Sequence, residues 1–242
     1  LILLLLILLS LLLPNYLVRG GAYVYKVLVW LFFTLLMVFY ASKMIEKVVF
    51  YTQHTWRIAM LIDAKESCLV LVDVQEKLTP LIHESEKLIQ HCQWLLKAAT
   101  MLNIPTIAAE QYPKGLGHTV PALKQALPPE TSIIEKTSFS CASDENWSRQ
   151  FKKLACEQAI IMGIETHVCV LQTAIELLAE GLEVFVVADA VSSRHPDDHR
   201  LALERMNGEG VVIVTREMVV FEWLQGTVGT DLFRQAQKEL FM

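Results

Sequence analysis

The pattern of apolar and polar positions changes character at about residue 60. From Cys68 onward, short apolar runs rich in β-branched residues alternate with stretches of helical spacing. That alternation is the signature of a parallel sheet with helices on both faces. The runs predict strands over Cys68–Val74, Pro105–Ala109, Ser132–Glu135, Gln158–Gly163, Glu183–Ala188 and Val211–Val214. Each run lacks clear alternation, as strands buried on both faces do. Between them the spacing predicts helices over Ser85–Asn103, Pro121–Ala126, Ser143–Leu154, His167–Ala179 and Asp197–Asn207. In the first of these, Leu88, Ile89, Cys92, Leu95, Leu96 and Ala99 form one apolar face. Residues Glu217–Leu240 predict two short helices broken near Gly226 and Gly229. The expected fold is therefore three-layer α/β/α around a six-stranded parallel sheet of Rossmann-like type.

Residues 1–59 read differently. Leu1–Leu13 is apolar except for Ser10, and Ala22–Ser42 is interrupted only by Lys26. The second run is long enough to cross a bilayer, which takes about 20 residues. Two expectations stand: a membrane hairpin tethering the domain, or an over-long reading frame whose start is Met60. A domain boundary at 59/60 follows from either. Lys43, Lys47 and Arg57 after the second run favour a cytoplasmic domain in the tethered case, and the alternative also places the protein in the cytoplasm.

Charge sharpens the division. The net charge is −5, yet residues 1–59 carry Arg19, Lys26, Lys43, Lys47 and Arg57 against Glu46, a net of +4 that leaves −9 for the rest. An acidic domain without a basic stripe argues against nucleic acid as a partner. Five cysteines with no C-x-x-C pair point to free thiols in a reducing compartment. Cys68, Cys92 and Cys156 are expected to be inert core residues.

In such a sheet, ligands bind at the carboxyl ends of the strands. The residues there are Asp73, Glu110-Gln111-Tyr112, Lys136, the segment Gly163–Cys169 and Asp189. Asp73 and Lys136 each place a charge beside an apolar run, although either could be an ordinary strand-end group. Cys169 is more informative, because it lies where a strand turns into a helix. Exposed N–H groups and the helix dipole there are expected to favour a thiolate.

Three segments carry a resemblance: Leu-Val-Asp73-Val-Gln, Glu-Lys136-Thr-Ser-Phe-Ser and Gly-Ile-Glu-Thr-His-Val-Cys169-Val. Together they resemble the motifs of the isochorismatase-like cysteine hydrolases, over about residues 60–240. Glu110–Gly117 and Asp189–Arg194 are most similar to the subgroup called isochorismatase domain-containing protein 2. The resemblance implies that Cys169 is the nucleophile, Asp73 the base and Lys136 the supporting cation. It also implies a cis peptide between Ile164 and Glu165, with the N–H groups of Glu165 and Cys169 as an oxyanion hole. The implied reaction cleaves a C–N bond of a small amide through a thioester.

Gln111, Tyr112, Phe139 and Thr166 are the expected substrate pocket, and Trp147 is a further candidate wall. Nicotinamidases of this family hold a metal on an Asp-x-His pair and a second histidine; this chain has Glu110-Gln111-Tyr112 and His118 instead. Neither metal nor another cofactor is expected. The anticipated partners are a small-molecule substrate and further copies of the chain in a homo-oligomer, with a membrane only through residues 1–59. His167 is expected at the pocket rim or surface, and Arg194 or His195 beside Asp189 or a neighbouring subunit. Two rival readings remain: a binding or scaffold protein that keeps the fold, and a thiol redox protein in which Cys141 resolves Cys169.

Overall fold

The computed structural model describes residues 30, 32–45, 61–226 and 228–241. The chain divides into two units, Leu1–Met60 and Leu61–Met242. In the first, residues 32–45 are helical and their large apolar side chains are mostly exposed. Among the described residues no helix is long and apolar enough to cross a membrane. Leu1–Leu13, the first part of Ala22–Ser42 and the Met60 start lie outside the described residues.

The second unit is built on six parallel strands: β1 Ser67–Val72, β2 Thr106–Gln111, β3 Ser132–Lys136, β4 Gln158–Ile164, β5 Glu183–Ser192 and β6 Val212–Val214. Its helices are α1 Ser85–Leu102, α2 Pro113–Leu116, α3 Pro121–Ala126, α4 Glu145–Lys152, α5 Leu171–Ala179, α6 Pro196–Glu209, α7 Arg216–Leu224 and α8 Asp231–Ala236. Single π turns at Thr166–Val170 and Gln237–Phe241 adjoin α5 and α8. Helix starts follow local chemistry. The Asp144 carboxylate accepts from the N–H groups of Asn146 and Trp147 to open α4, and Pro196 with Asp197 and Asp198 occupies the first turn of α6.

The strand order is β3-β2-β1-β4-β5-β6. The chain runs outward from β1 in one direction and then restarts beside β1 with β4, which makes the β1/β4 junction the topological switch point. Side chains of β1 alternate between two cores: Leu69 and Leu71 face one layer, Cys68, Val70 and Val72 the other. Both faces are covered, which explains the unalternated apolar runs in the sequence.

The elements differ from expectation mainly at their ends. β5 extends to Ser192 because a bulge intervenes: Ile161 pairs with Val186, but Gly163 already pairs with Val191. Two steps along β4 thus span five along β5, so Asp189 lies inside the bulged strand and not after it. The helix expected from His167 begins as the π turn, which places Cys169 one residue short of its end. The short α2 had no apolar period to announce it.

Candidate active site

At the switch point the last register pair of β1 and β4 is Val72 with Gly163. Gly163 has φ +123°, and a Cβ there would lie 2.1 Å from the Val72 carbonyl oxygen. Only glycine permits this approach, so the two strands leave the sheet side by side. Asp73 follows immediately, in the left-handed region at φ 50°. That conformation costs a non-glycine residue about 1 kcal/mol or more and is tolerated best by Asp and Asn. It turns the carboxylate away from the strand's alternation.

Lys136 ends β3, two strands away, and its side chain runs under the end of β2. Its Nζ donates to Asp73 Oδ2 at 2.7 Å, Gln111 Oε1 at 2.7 Å, the Phe139 carbonyl at 2.9 Å and the Ser138 carbonyl at 3.2 Å. An ammonium has three hydrogens, so four acceptors hold it fully. Both ionic side chains are almost entirely buried. Burial works against the Lys136 charge, but Asp73 and the neighbouring thiols outweigh it and raise its pKa. Lys136 is therefore a fixed cation, not a nucleophile.

Asp73 is the opposite case. Burial raises its pKa more than Lys136 lowers it. Its second oxygen, Oδ1, is buried and has no hydrogen-bond partner among the described residues. The Cys169 thiol lies close enough to this carboxylate for each to shift the other's titration. An orphaned buried oxygen is costly unless it has chemical work, and a neighbouring S–H provides it.

Cys169 is held by the π turn, a feature common at functional sites. Val168 and Val170 N–H both donate to the Glu165 carbonyl and close that turn. The Ile164–Glu165 peptide is cis. Cys169 retains 8% exposure, against 1% for Asp73 and 2% for Lys136, so it is the least enclosed of the three. The expectation that the helix start favours a thiolate is corrected here. Burial pushes the Cys169 thiol far up, and the Asp73 charge adds to this against the pull of Lys136. A thiol shifted upward keeps its proton at neutral pH.

The pocket residues separate. Gln111 spends Oε1 on Lys136 and donates Nε2 to the Thr137 carbonyl at 2.9 Å, so it positions the lysine. Thr166 is fully buried with its hydroxyl 3.0 Å from His199 Nδ1, which commits it to the scaffold. Tyr112 and Phe139 are more than half exposed, and their backbones meet Lys136: Tyr112 N–H donates to the Lys136 carbonyl and the Phe139 carbonyl accepts from Lys136 Nζ. Trp147 is not a pocket wall. It is fully buried and stacks on Phe151 with ring centroids 4.7 Å apart.

His167 is partly buried with Nδ1 2.9 Å from Ser193 Oγ. Arg194 pairs with Glu165 at 2.9 Å, leaving Asp189 to Arg216 and His91. Sequence reasoning quoted Gln75 without giving it a role. This buried amide accepts from Gln111 N–H and donates to the carbonyls of Gln111 and Gly117, so it fixes the residue that fixes Lys136. The available signal was a polar residue two places beyond Asp73 in an apolar setting. Cys156 was also misread: it is only partly buried, and its sulfur contacts Cys68.

The carboxylate near the end of β2 is held by its neighbours. Glu110 accepts from Thr119 N–H, Thr119 Oγ1 and His118 Nδ1, at 2.7, 2.8 and 2.9 Å. Among the described residues no three His, Cys, Asp or Glu side chains gather as a metal would need. A cavity of about 290 Å³ opens near the end of β5, with His83, Lys87, Asp189 and His199 in its wall. None of Asp73, Lys136 and Cys169 lines it, and His199 links it to the site only through Thr166.

A family model described as "Isochorismatase domain" matches residues 67–218. Isochorismatase domain-containing protein 2 of Danio rerio is 41% identical over 180 residues, covering 74% of this chain and 89% of its own. A solved structure described as MAR1 ribonuclease from Caenorhabditis elegans is 40% identical with TM-score 0.70, over 76% of this chain and 93% of that one. YcaC from Pseudomonas aeruginosa, solved with hexane-2,5-diol and covalent acrylamide, is 26% identical with TM-score 0.69, over 74% and 91%. YcaC from Escherichia coli, described as an octameric hydrolase of unknown specificity, is 29% identical with TM-score 0.66, over 69% and 83%. With the matched domain spanning more than half of its length and containing all three site residues, the chain belongs to the isochorismatase family.

Proposed function

We propose that this chain is a cysteine hydrolase that cleaves a C–N bond of a small amide-type substrate through a thioester. The observation that carries the reading is the unequal treatment of the two Asp73 oxygens. Oδ2 is bound to a buried ammonium, while Oδ1 has no partner and the Cys169 thiol lies against the carboxylate. In the first half-reaction the thiol proton passes to Asp73 as Sγ attacks the carbonyl carbon. Raising the Asp73 pKa narrows the gap between acceptor and thiol, which makes the transfer less uphill. The N–H groups of Glu165 and Cys169 receive the oxyanion. Collapse breaks the C–N bond, and Asp73 returns the proton to the leaving amine. Water then attacks the thioester with Asp73 again as base, releasing the acid and restoring the thiol. Lys136 holds its charge throughout, so the carboxylate is never left alone in the interior.

Tyr112 and Phe139 supply an apolar rim, which favours small, largely neutral substrates. The covalent acrylamide in the Pseudomonas relative agrees with a nucleophile in that protein that a small electrophile reaches. The reaction needs no metal, because Cys169, Asp73 and water supply every proton and nucleophile in it, and Glu110 is already engaged three times. The octameric Escherichia coli relative supports a homo-oligomer here too, and sizing by light scattering checks it. Because the Caenorhabditis relative is described as a ribonuclease, RNA belongs in the test, although the −9 charge of residues 60–242 opposes a polyanion. The experiment is a panel of amides, carbamates, ureas and a structured RNA, assayed for ammonia or amine release and for RNA cleavage with and without chelator. Chelator-resistant release from at least one small amide is expected. Release from none, or cleavage of RNA alone, would overturn the reading.

A further inference from the structure

Away from the candidate site, the amino edge of the sheet holds a second pair of thiols. Cys68 lies in β1 and is fully buried, and Cys156 lies two residues before β4 and is partly exposed. Their sulfurs are 2.7 Å apart across 88 residues of sequence. A disulfide bond is about 2.05 Å long, so closure needs a movement of well under 1 Å. The backbone on both sides is already fixed: Glu157 and Gln158 N–H donate to the Glu66 carbonyl, and Cys68 is in register with Ala159. The turn into β4 passes through Ala155 in the left-handed region at φ 51°, which brings Cys156 back over β1.

We propose that Cys68 and Cys156 form an oxidation site that reacts with a small hydroperoxide and closes to a reversible disulfide. Cys156 attacks one peroxide oxygen and the O–O bond breaks, giving Cys156 sulfenic acid and one water, or an alcohol from an organic hydroperoxide. Cys68 Sγ then attacks the Cys156 sulfur. The S–O bond breaks, the departing hydroxide takes the Cys68 proton, and a second water leaves. The two thiols lose two electrons to the peroxide, and both of their protons end in the products.

The order of attack follows from environment. The contact with Cys68 lowers the Cys156 thiol, whereas burial raises Cys68, Cys92, Cys141 and Cys169. Cys156 is thus the accessible, more ionised partner, and Cys68 the buried one that resolves it. The proposal does not rest on the hydrolase reading, because neither thiol belongs to that site.

The test treats the full reduced chain with stoichiometric hydrogen peroxide at neutral pH, quenches with acid, alkylates, and maps the unreduced digest by mass spectrometry. The expected product has lost two hydrogens, yields one cross-linked peptide pair containing Cys68 and Cys156, and reverts with dithiothreitol. Its unfolding midpoint should rise by about 5–15 °C, because the bond closes a long loop. Cys169→Ser should leave the cross-link intact. Cys156→Ala, checked for folding by its melting curve, should abolish it and slow peroxide consumption about tenfold or more. A Cys141–Cys169 disulfide, over-oxidised Cys156 beside a still alkylatable Cys68, or no oxidation of either thiol would each overturn the proposal.

Discussion

An aspartate follows β1 and another sits in the bulge of β5, and the two meet opposite fates. Asp189 has both oxygens occupied: Oδ1 accepts from Arg216 N–H at 2.8 Å and Oδ2 from Arg216 Nη1 at 2.6 Å. The same guanidinium contacts His91 Nε2 and lies over Trp94, so the cluster ties β5 to α1 and α7. Asp73 is more deeply buried and yet has only one oxygen bound by hydrogen bonds. A satisfied carboxylate holds structure together, whereas one with an unpaired buried oxygen beside a thiol is placed to move a proton. The residue type is the same, and the difference lies in the partners.

The largest expected effect tests the thiol itself. Cys169→Ser, which preserves shape, should reduce amide hydrolysis about 10³-fold or more without changing the melting curve. Next, Asp73→Asn should lower kcat about 10²–10⁴-fold. The wild-type kcat/KM should rise with pH through the Asp73 ionisation, above the ordinary carboxylate range, because burial raises that pKa. Asp73→Asn should lose this limb. Cys169 and Lys136 are both shifted up, so no fall should follow just above neutrality.

Linkage carries a matching sign for stability. The raised Asp73 pKa contributes stability that is full below its unfolded value and is lost as pH rises through the folded value. Glu110 is the reverse: burial opposes its charge, but the Thr119 and His118 hydrogen bonds prevail and lower its pKa. Its contribution is present above the unfolded value and lost as pH falls through the folded one.

Lys136→Met should diminish activity about 10²-fold and, by leaving Asp73 without a cation, destabilise the domain by about 3–5 kcal/mol in denaturant titration. The smallest catalytic effect belongs to the other aspartate. Asp189→Asn should cost about 1–3 kcal/mol of stability and leave kcat/KM within about twofold, with the pH profile unmoved. An Asp189→Asn enzyme as impaired as Asp73→Asn would erase the distinction between the two aspartates.

Much of this was legible in the sequence because parallel strands and their helices write their period directly into it. All six strands were placed to within a few residues, except where the β5 bulge carried that strand beyond Ala188. A bulge depends on the partner strand's register, which no local pattern reports. The positions of Asp73, Lys136 and Cys169 were also readable, since each follows an apolar run at the sheet's carboxyl edge. What could not be read was the state of these groups. The resting thiol of Cys169 reflects burial by distant segments together with the Asp73 charge, neither visible in its own flanking residues. Gln111 and Thr166 were read as pocket residues but bind Lys136 and His199, because hydrogen-bond partners 25 and 33 residues away decide their roles. The Cys68–Cys156 contact is another such pairing, created only when β4 returns beside β1.

The most direct test of the central claim is an acid-quenched mass measurement of the enzyme during turnover of the best small amide in the panel. The account predicts an acyl mass on the peptide containing Cys169, sensitive to hydroxylamine, absent in Cys169→Ser and slow to form in Asp73→Asn. Undiminished amide turnover by Cys169→Ser, or an acyl group carried by another residue, would contradict it.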